Sequence, residues 1–232
     1  MRAGLVLAAL AMCQSANAVA ETPARASIAP VGETVFRPID LVPWGWKLFD
    51  KIDGDLNSDG RDDTVLVIQR NDPALMMQNE NLGVDRFDAN PRVLVLAMRT
   101  DNGYRVAGRA PELIPDHDMP TMSDPYDSLE ITNGAVRVRT RLFMNAGGWG
   151  AGSQTFTFRW NGEAMALIGF DRFDVHRGSG ETQRVSANYL TGKRKDAKGN
   201  IADDTDDWRW SDLRPGNRPV MGEVGNAFTF ES

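Results

Sequence analysis

The sequence predicts an all-β protein, a mainly antiparallel meander of about nine to twelve strands with little helix, built as a sandwich or as a partial-propeller-like array. Three observations carry this. Short runs of β-branched and aromatic residues recur between clusters of Gly, Asn, Asp and Pro. Asn-Gly pairs at Asn102-Gly103, Asn133-Gly134 and Asn161-Gly162 sit between such runs, where a hairpin turn needs residues that tolerate positive φ. Apolar spacing of helical period is scarce.

In chain order, the first strand is expected over 46–52. The next two, 64–69 and 92–99, contain Val65-Leu66-Val67-Ile68 and Val93-Leu94-Val95-Leu96. Being apolar at successive positions, they face apolar surroundings on both sides and belong in the middle of the structure. Asn102-Gly103 joins 92–99 to a strand over 104–108. Asn133-Gly134 joins 128–131 to 135–143, where Arg137, Arg139 and Arg141 alternate with Val136, Val138 and Thr140 and give the strand one wet face. Asn161-Gly162 joins 154–160 to 165–170, and a further strand spans 183–189. The connection 71–90 is long enough to hold a short helix over 74–78 or a functional loop. Residues 193–232 have weak periodicity and are expected to be irregular, with two short strands.

The ends of the chain read differently. Residues 1–20 have the form of a signal peptide: Arg2 is the positive start, 4–12 an apolar stretch, and Ala16-Asn17-Ala18 a small-x-small cleavage pattern, with cleavage near Ala18 or Ala20. This predicts a periplasmic or secreted protein. Residues 21–38 are expected to be a flexible lead-in and 39–232 a single β-domain. The only cysteine, Cys13, lies in the signal segment, which excludes disulfides, thiolate chemistry and cysteine-bound zinc from the mature chain. The formal charge is −6, from 26 basic and 32 acidic residues, and loss of Arg2 makes it 25 − 32 = −7. Such a balance argues against nucleic acid or anionic lipid as a partner, and no stretch is apolar enough for a membrane span.

One segment carries specific chemistry. In Asp55-Leu56-Asn57-Ser58-Asp59-Gly60-Arg61-Asp62-Asp63, oxygen ligands fall at loop positions 1, 3, 5 and 9, with glycine at position 6 for a sharp turn. That is a calcium spacing: carboxylates from Asp55, Asp59 and Asp63, the amide oxygen of Asn57 and the main-chain carbonyl of Arg61. Position 12 is Leu66 instead of a bidentate glutamate, and both flanks read as extended, so the site is expected to be strand-loop-strand and of modest affinity. The stretch 54–63 with the apolar run after it resembles the calcium loop of FG-GAP or VCBS-type repeats. In that family the loop joins two strands of a propeller blade, and the resemblance implies Asp55, Asn57, Asp59, Arg61 and Asp63 as ligands of a structural Ca²⁺. The loop occurs once. Later segments, among them Asp124-Pro125-Tyr126, Phe158-Arg159-Trp160 and 188–193, are similar to uncharacterised secreted bacterial proteins that carry one such loop.

Other constellations are weaker. His117 and His176 each lie near aspartates, but Ser153 and Ser179 are not in nucleophile elbows, so solvated loop histidines are expected. The glycine-rich stretch 145–153 lacks the ending of a phosphate loop and is read as a close backbone turn, with Trp149 covering the core edge. The acidic run 203–207 is read as a solvated turn. Trp208 and Trp210 follow it at strand spacing, on one face, where exposed rings would stack on sugars or a partner. Glu130, Glu163 and Asp171 are the candidate carboxylates for glycoside hydrolysis. The functional expectation is an extracytoplasmic calcium-binding β-domain, a binding or structural module for a protein or glycan ligand. The alternative is a hydrolase of an envelope or extracellular polymer.

Overall fold

Two apolar strands organise the molecule because their alternate residues face opposite ways. In the computed structural model, which describes residues 28–203, 207–214, 216 and 218–232, these are β3 (Asp63–Arg70) and β6 (Arg92–Thr100), paired antiparallel in the middle of a five-stranded sheet. β2 (Trp46–Gly54) pairs with the free side of β3. β7 (Gly103–Ala110) pairs with β6, and β1 (Thr34–Val35) pairs with β7. The order is β1-β7-β6-β3-β2.

The second sheet has seven strands in sequence order: β8 (Tyr126–Thr132), β9 (Ala135–Phe143), β10 (Gly150–Trp160), β11 (Met165–His176), β12 (Glu181–Asn188), β13 (Lys193–Asn200) and β14 (Asp207–Asp212). It is an antiparallel meander, as the turn chemistry predicts. One core joins the two sheets: Val65, Val67, Leu94 and Leu96 from the first pack with Val136, Val138, Phe156, Phe158 and Phe170 from the second. The architecture is therefore a β-sandwich. Burying each such side chain stabilises the fold by about 1.5–3 kcal/mol before the entropy of ordering is charged against it.

The opposite residues of the same strands, Leu66, Ile68, Val93 and Val95, form a second core on the outer face of the five-stranded sheet. Part of the expected lead-in 21–38 lies against this face. Ile28 is only 2% exposed and packs in that second core with Leu41, while Arg109 donates through Nη1 to the Ile28 carbonyl at 3.1 Å. An apolar outer sheet face has to be covered, and residues 28–42 cover it. Residues 1–27, and with them the signal segment, lie outside the described residues.

Two further expectations change. The connection 71–90 holds a single 3₁₀ turn, Pro73–Leu75, capped by the Asp72 carboxylate accepting from the Ala74 amide at 3.0 Å; it then forms a small ribbon of β4 (Met76–Gln78) and β5 (Arg86–Asp88). The helix expected over 74–78 is absent because Phe87, opposite Met77, is buried and holds the chain extended. The glycine-rich stretch contributes Gly150–Ser153 to β10, where a Cβ on Gly152 would stand 2.5 Å from the Phe173 carbonyl oxygen. Glycine is needed there for close strand approach. The additional short strands bring the total among the described residues to fourteen.

The two sheets are clasped along one side, where edge strands β2 and β8 meet. Each is irregular at this point, β2 between Leu48 and Asp50 and β8 between Tyr126 and Ser128. Arg92 reaches Asp124 with two bonds of 2.5 and 2.6 Å, its guanidinium lies 4.1 Å from the centre of the Phe49 ring, and Tyr126 donates to Asp50 at 2.6 Å. Burial pushes the Asp124 carboxyl up, but the Arg92 bonds and charge and the Tyr126 amide outweigh it and leave the group below its ordinary range. Burial and the Asp50 bond raise the Tyr126 phenol, so it stays protonated.

Candidate functional site

The loop 55–63 joins β2 to β3, so the predicted strand-loop-strand setting is what the fold contains. Its side chains are turned in on its own main chain. Asp55 Oδ1 accepts from the Ser58 amide at 2.7 Å and Oδ2 from the Gly60 amide at 2.9 Å. Asn57 Oδ1 accepts from the Asp59 amide, and Asp59 Oδ1 from the Arg61 amide, both at 2.9 Å. Gly60 takes φ 82°, a conformation in which a Cβ would be strained.

Charge in the loop is partly met by Arg61. Its guanidinium bonds Asp59 Oδ2 at 2.9 Å and Asp101, in the β6–β7 turn, at 2.7 Å. The Arg61 bond holds the Asp59 carboxyl below its ordinary range. Asp63 is placed differently from the other ligand candidates: it is fully buried, with Oδ2 accepting from the Leu56 amide at 3.0 Å and Oδ1 from the Arg99 amide at 2.8 Å. Burial nonetheless raises its carboxyl above the usual range, and the charges of Asp59 and Asp55 add to the rise.

Among the described residues no three His, Cys, Asp or Glu groups converge as a metal cluster. The donor set still suits a hard cation in kind: the carboxylates of Asp55 and Asp59, the amide of Asn57 and main-chain carbonyls are all oxygen. Asp63 has one amide on each oxygen, which leaves it a lone pair on each for a second partner.

The histidines are both engaged locally. His117 Nε2 lies 2.7 Å from the Met122 carbonyl oxygen, with its ring 5.2 Å from that of Phe87. His176 Nδ1 accepts from the Ser179 amide at 3.1 Å and lies 3.0 Å from Ser179 Oγ, which itself donates to Glu181 at 3.1 Å. The serine proton thus points at a carboxylate within one tight turn, an arrangement that orders the turn. The glycosidase candidates are spread out. Glu130 on β8 faces Arg137, Glu163 sits in the β10–β11 turn, and Asp171 is three strands away from β8. At a strand spacing of about 4.8 Å this puts Glu130 and Asp171 roughly 14 Å apart, more than the two-carboxylate chemistry spans.

Trp149 is 62% exposed and stands over Gly178, so it does not close the core edge. Trp208 and Trp210 do share a face, with the Lys195 ammonium 4.3 and 5.8 Å from their ring centres. The centre of the acidic run, residues 204–206, lies outside the described residues. What sequence reasoning missed is that β10 to β13 bring Ser153, Phe173, Arg184 and Lys195 to the same face as these indoles, where with Trp208 they line a depression of about 250 Å³. Strand alternation within 193–200 was the available signal, but register was not.

Comparison with protein-family models, with curated proteins and with solved structures gives no match. No helix among the described residues is long and apolar enough to cross a membrane.

Proposed function

We propose that this chain is an extracytoplasmic binding or structural module whose 55–63 loop holds Ca²⁺. The observation that carries the reading is the inward turn of three oxygen-bearing side chains at alternate positions, each fixed by a main-chain amide of the loop itself. Asp55, Asn57 and Asp59 would hold the ion, with the Arg61 carbonyl and Asp63 completing the set. The ion would supply two positive charges against the loop carboxylates and so brace β2 on β3.

Thermal melting of residues 21–232 tests this. With a dissociation constant of roughly 10⁻⁴ to 10⁻³ M, 10 mM Ca²⁺ should raise Tm by roughly 3–10 °C, an effect absent in Asp55→Ala and Asp59→Ala. A wild-type Tm that does not respond to Ca²⁺ would refute the metal reading.

A further inference from the structure

The edge of a sheet is a row of main-chain donors and acceptors without partners, and the two large sheets treat their edges unequally. β2 and β8 are irregular and meet each other at the clasp, and β1 is two residues long. β14 is different: it is six residues long, pairs with β13 without a register shift, and every residue in it is exposed. It contains neither proline nor lysine, and among the described residues no strand pairs with its outer side. The Leu213 amide donates to the Gly192 carbonyl at 2.8 Å, so along the same ladder Ser211, Arg209 and Asp207 turn their main-chain groups toward β13. Those of Trp208, Trp210 and Asp212 point outward.

We propose that this edge pairs with the β14 edge of a second copy of the chain, antiparallel about a two-fold axis at Trp210, so that one sheet runs through both copies. Strand phase and charge select the register. In an antiparallel pair, residues that point outward must stand opposite residues that point outward, so the axis has to pass through a residue position. Axes at Trp208 or Ser211 leave only three residues of each strand paired, and axes at the ends leave fewer. Axes at Arg209 and Trp210 each pair five. The first sets the two Arg209 side chains directly opposite one another, which is unfavourable. The second sets Trp208 opposite Asp212, Arg209 opposite Ser211 and Trp210 opposite its own copy, with no like charges opposed. The outward groups of Trp208, Trp210 and Asp212 then form about six main-chain hydrogen bonds.

The outer face gains apolar contact from this register. Trp210, 69% exposed, ends the cross-strand row Thr155, Asp171, Ser186, Lys195, Trp210. At the axis the two Trp210 residues stand about 5.5 Å apart at Cα, with Trp208 of each copy diagonal to Trp210 of the other, so four indoles gather on one face. Asp212, which comes opposite Trp208, keeps Lys193 as its ion-pair partner at 2.5 Å. One strand from each copy is a small contact, so association is reversible and shows at high protein concentration.

Sedimentation equilibrium of residues 21–232 from about 10 µM to about 1 mM tests the proposal, and the mass should rise from monomer toward dimer. Trp210→Pro removes an outward N–H and leaves the bonds to β13 in place, so it should weaken association by about tenfold or more. Cysteine variants test the register independently, because Cys13 is the only cysteine and precedes residue 21. Under mild oxidation Trp210→Cys should give a covalent dimer about tenfold faster than Asp207→Cys, whose Cα atoms would lie roughly 20 Å apart across the axis. An equal mixture of Arg209→Cys and Ser211→Cys should yield the mixed dimer, identified by mass, in preference to either self-dimer. Unchanged far-UV circular dichroism would show that each variant folds, and the cysteine variants decide the matter if the proline variant does not. A mass that stays monomeric, association unaffected in a folded Trp210→Pro, or cross-linking of Asp207→Cys or Arg209→Cys alone as fast as Trp210→Cys would each overturn it.

Discussion

Replacing Arg92 with methionine removes the charge that holds the two sheets together along the β2–β8 side while keeping most of the side-chain volume. Arg92 is 5% exposed, and the Asp124 carboxylate it serves is 36% exposed. Removing one partner of a fully buried ion pair costs about 3–5 kcal/mol, because the other charge is left without compensation. Water reaches Asp124 from one side, which reduces the penalty, whereas loss of the guanidinium from the Phe49 ring adds to it. The net expectation is about 2–4 kcal/mol, equivalent to a fall in Tm of roughly 4–16 °C for a domain of this size. Circular dichroism melts and urea titration of wild type, Arg92→Met and the double variant Arg92→Met/Asp124→Leu measure it. The double variant should recover much of the loss, since it leaves no orphaned carboxylate. A single variant that melts within about 2 °C of wild type would refute the clasp as a source of stability.

The same pair sets an acid limb. The folded Asp124 carboxyl titrates below its unfolded value of about 3.9, so its contribution is fully present above that pH and is lost as pH falls through the lower folded value. Between about pH 5 and 2, Tm should therefore fall less steeply in Arg92→Met than in wild type, and parallel slopes would count against the argument. In the core, Phe156 is fully buried with the Phe158, Phe170 and Phe230 rings centred 6.4, 5.0 and 5.2 Å away. Phe156→Ala should destabilise by about 3–5 kcal/mol, read from the urea midpoint at constant slope. Ile28→Ala should cost about 2–3 kcal/mol on the same measurement, since the side chain is buried in the outer core; an effect under about 0.5 kcal/mol would mean that this segment does not cover the sheet.

The parts of this fold that sequence makes legible are those whose cause is local. Hairpins around Asn133-Gly134 and Asn161-Gly162 follow from turn chemistry, and the central position of β3 and β6 follows from strands that are apolar on both faces. Arg137, Arg139 and Arg141 are exposed and Val136, Val138 and Thr140 buried because period-two alternation survives without tertiary context. What stays hidden is non-local. Ile28 sits in a stretch with no periodicity, and only the bare outer face of a distant sheet explains its burial. Arg92 and Asp124 are separated by 32 residues, and neither carries a motif. The outer face of the seven-stranded sheet is half visible: Trp208 and Trp210 share a face by spacing alone, but the register that adds Lys195, Ser186 and Asp171 depends on pairing between three further strands.

The loop 55–63 shows how the two kinds of information combine. Its spacing is local and points to an ion within one hairpin. Its surroundings are not local: Asp63 accepts the Arg99 amide of β6, Arg61 bonds Asp101 in the β6–β7 turn, and the Asp55 carbonyl oxygen lies 3.7 Å from where a Cβ of Gly134, in the β8–β9 turn, would be. A Cβ on Gly54, just before the loop, would lie 3.1 Å from Ile131 Cγ2 of β8 in the opposite sheet. The loop therefore touches three hairpins and both sheets. Charge placed there would bear on how the sheets meet at this end of the sandwich, while Arg92 and Asp124 hold them along the side where β2 and β8 run together. Between these two fixtures the seven-stranded sheet keeps its outer face clear of the core, which leaves the polar and aromatic rows from β10 to β14 open to solvent.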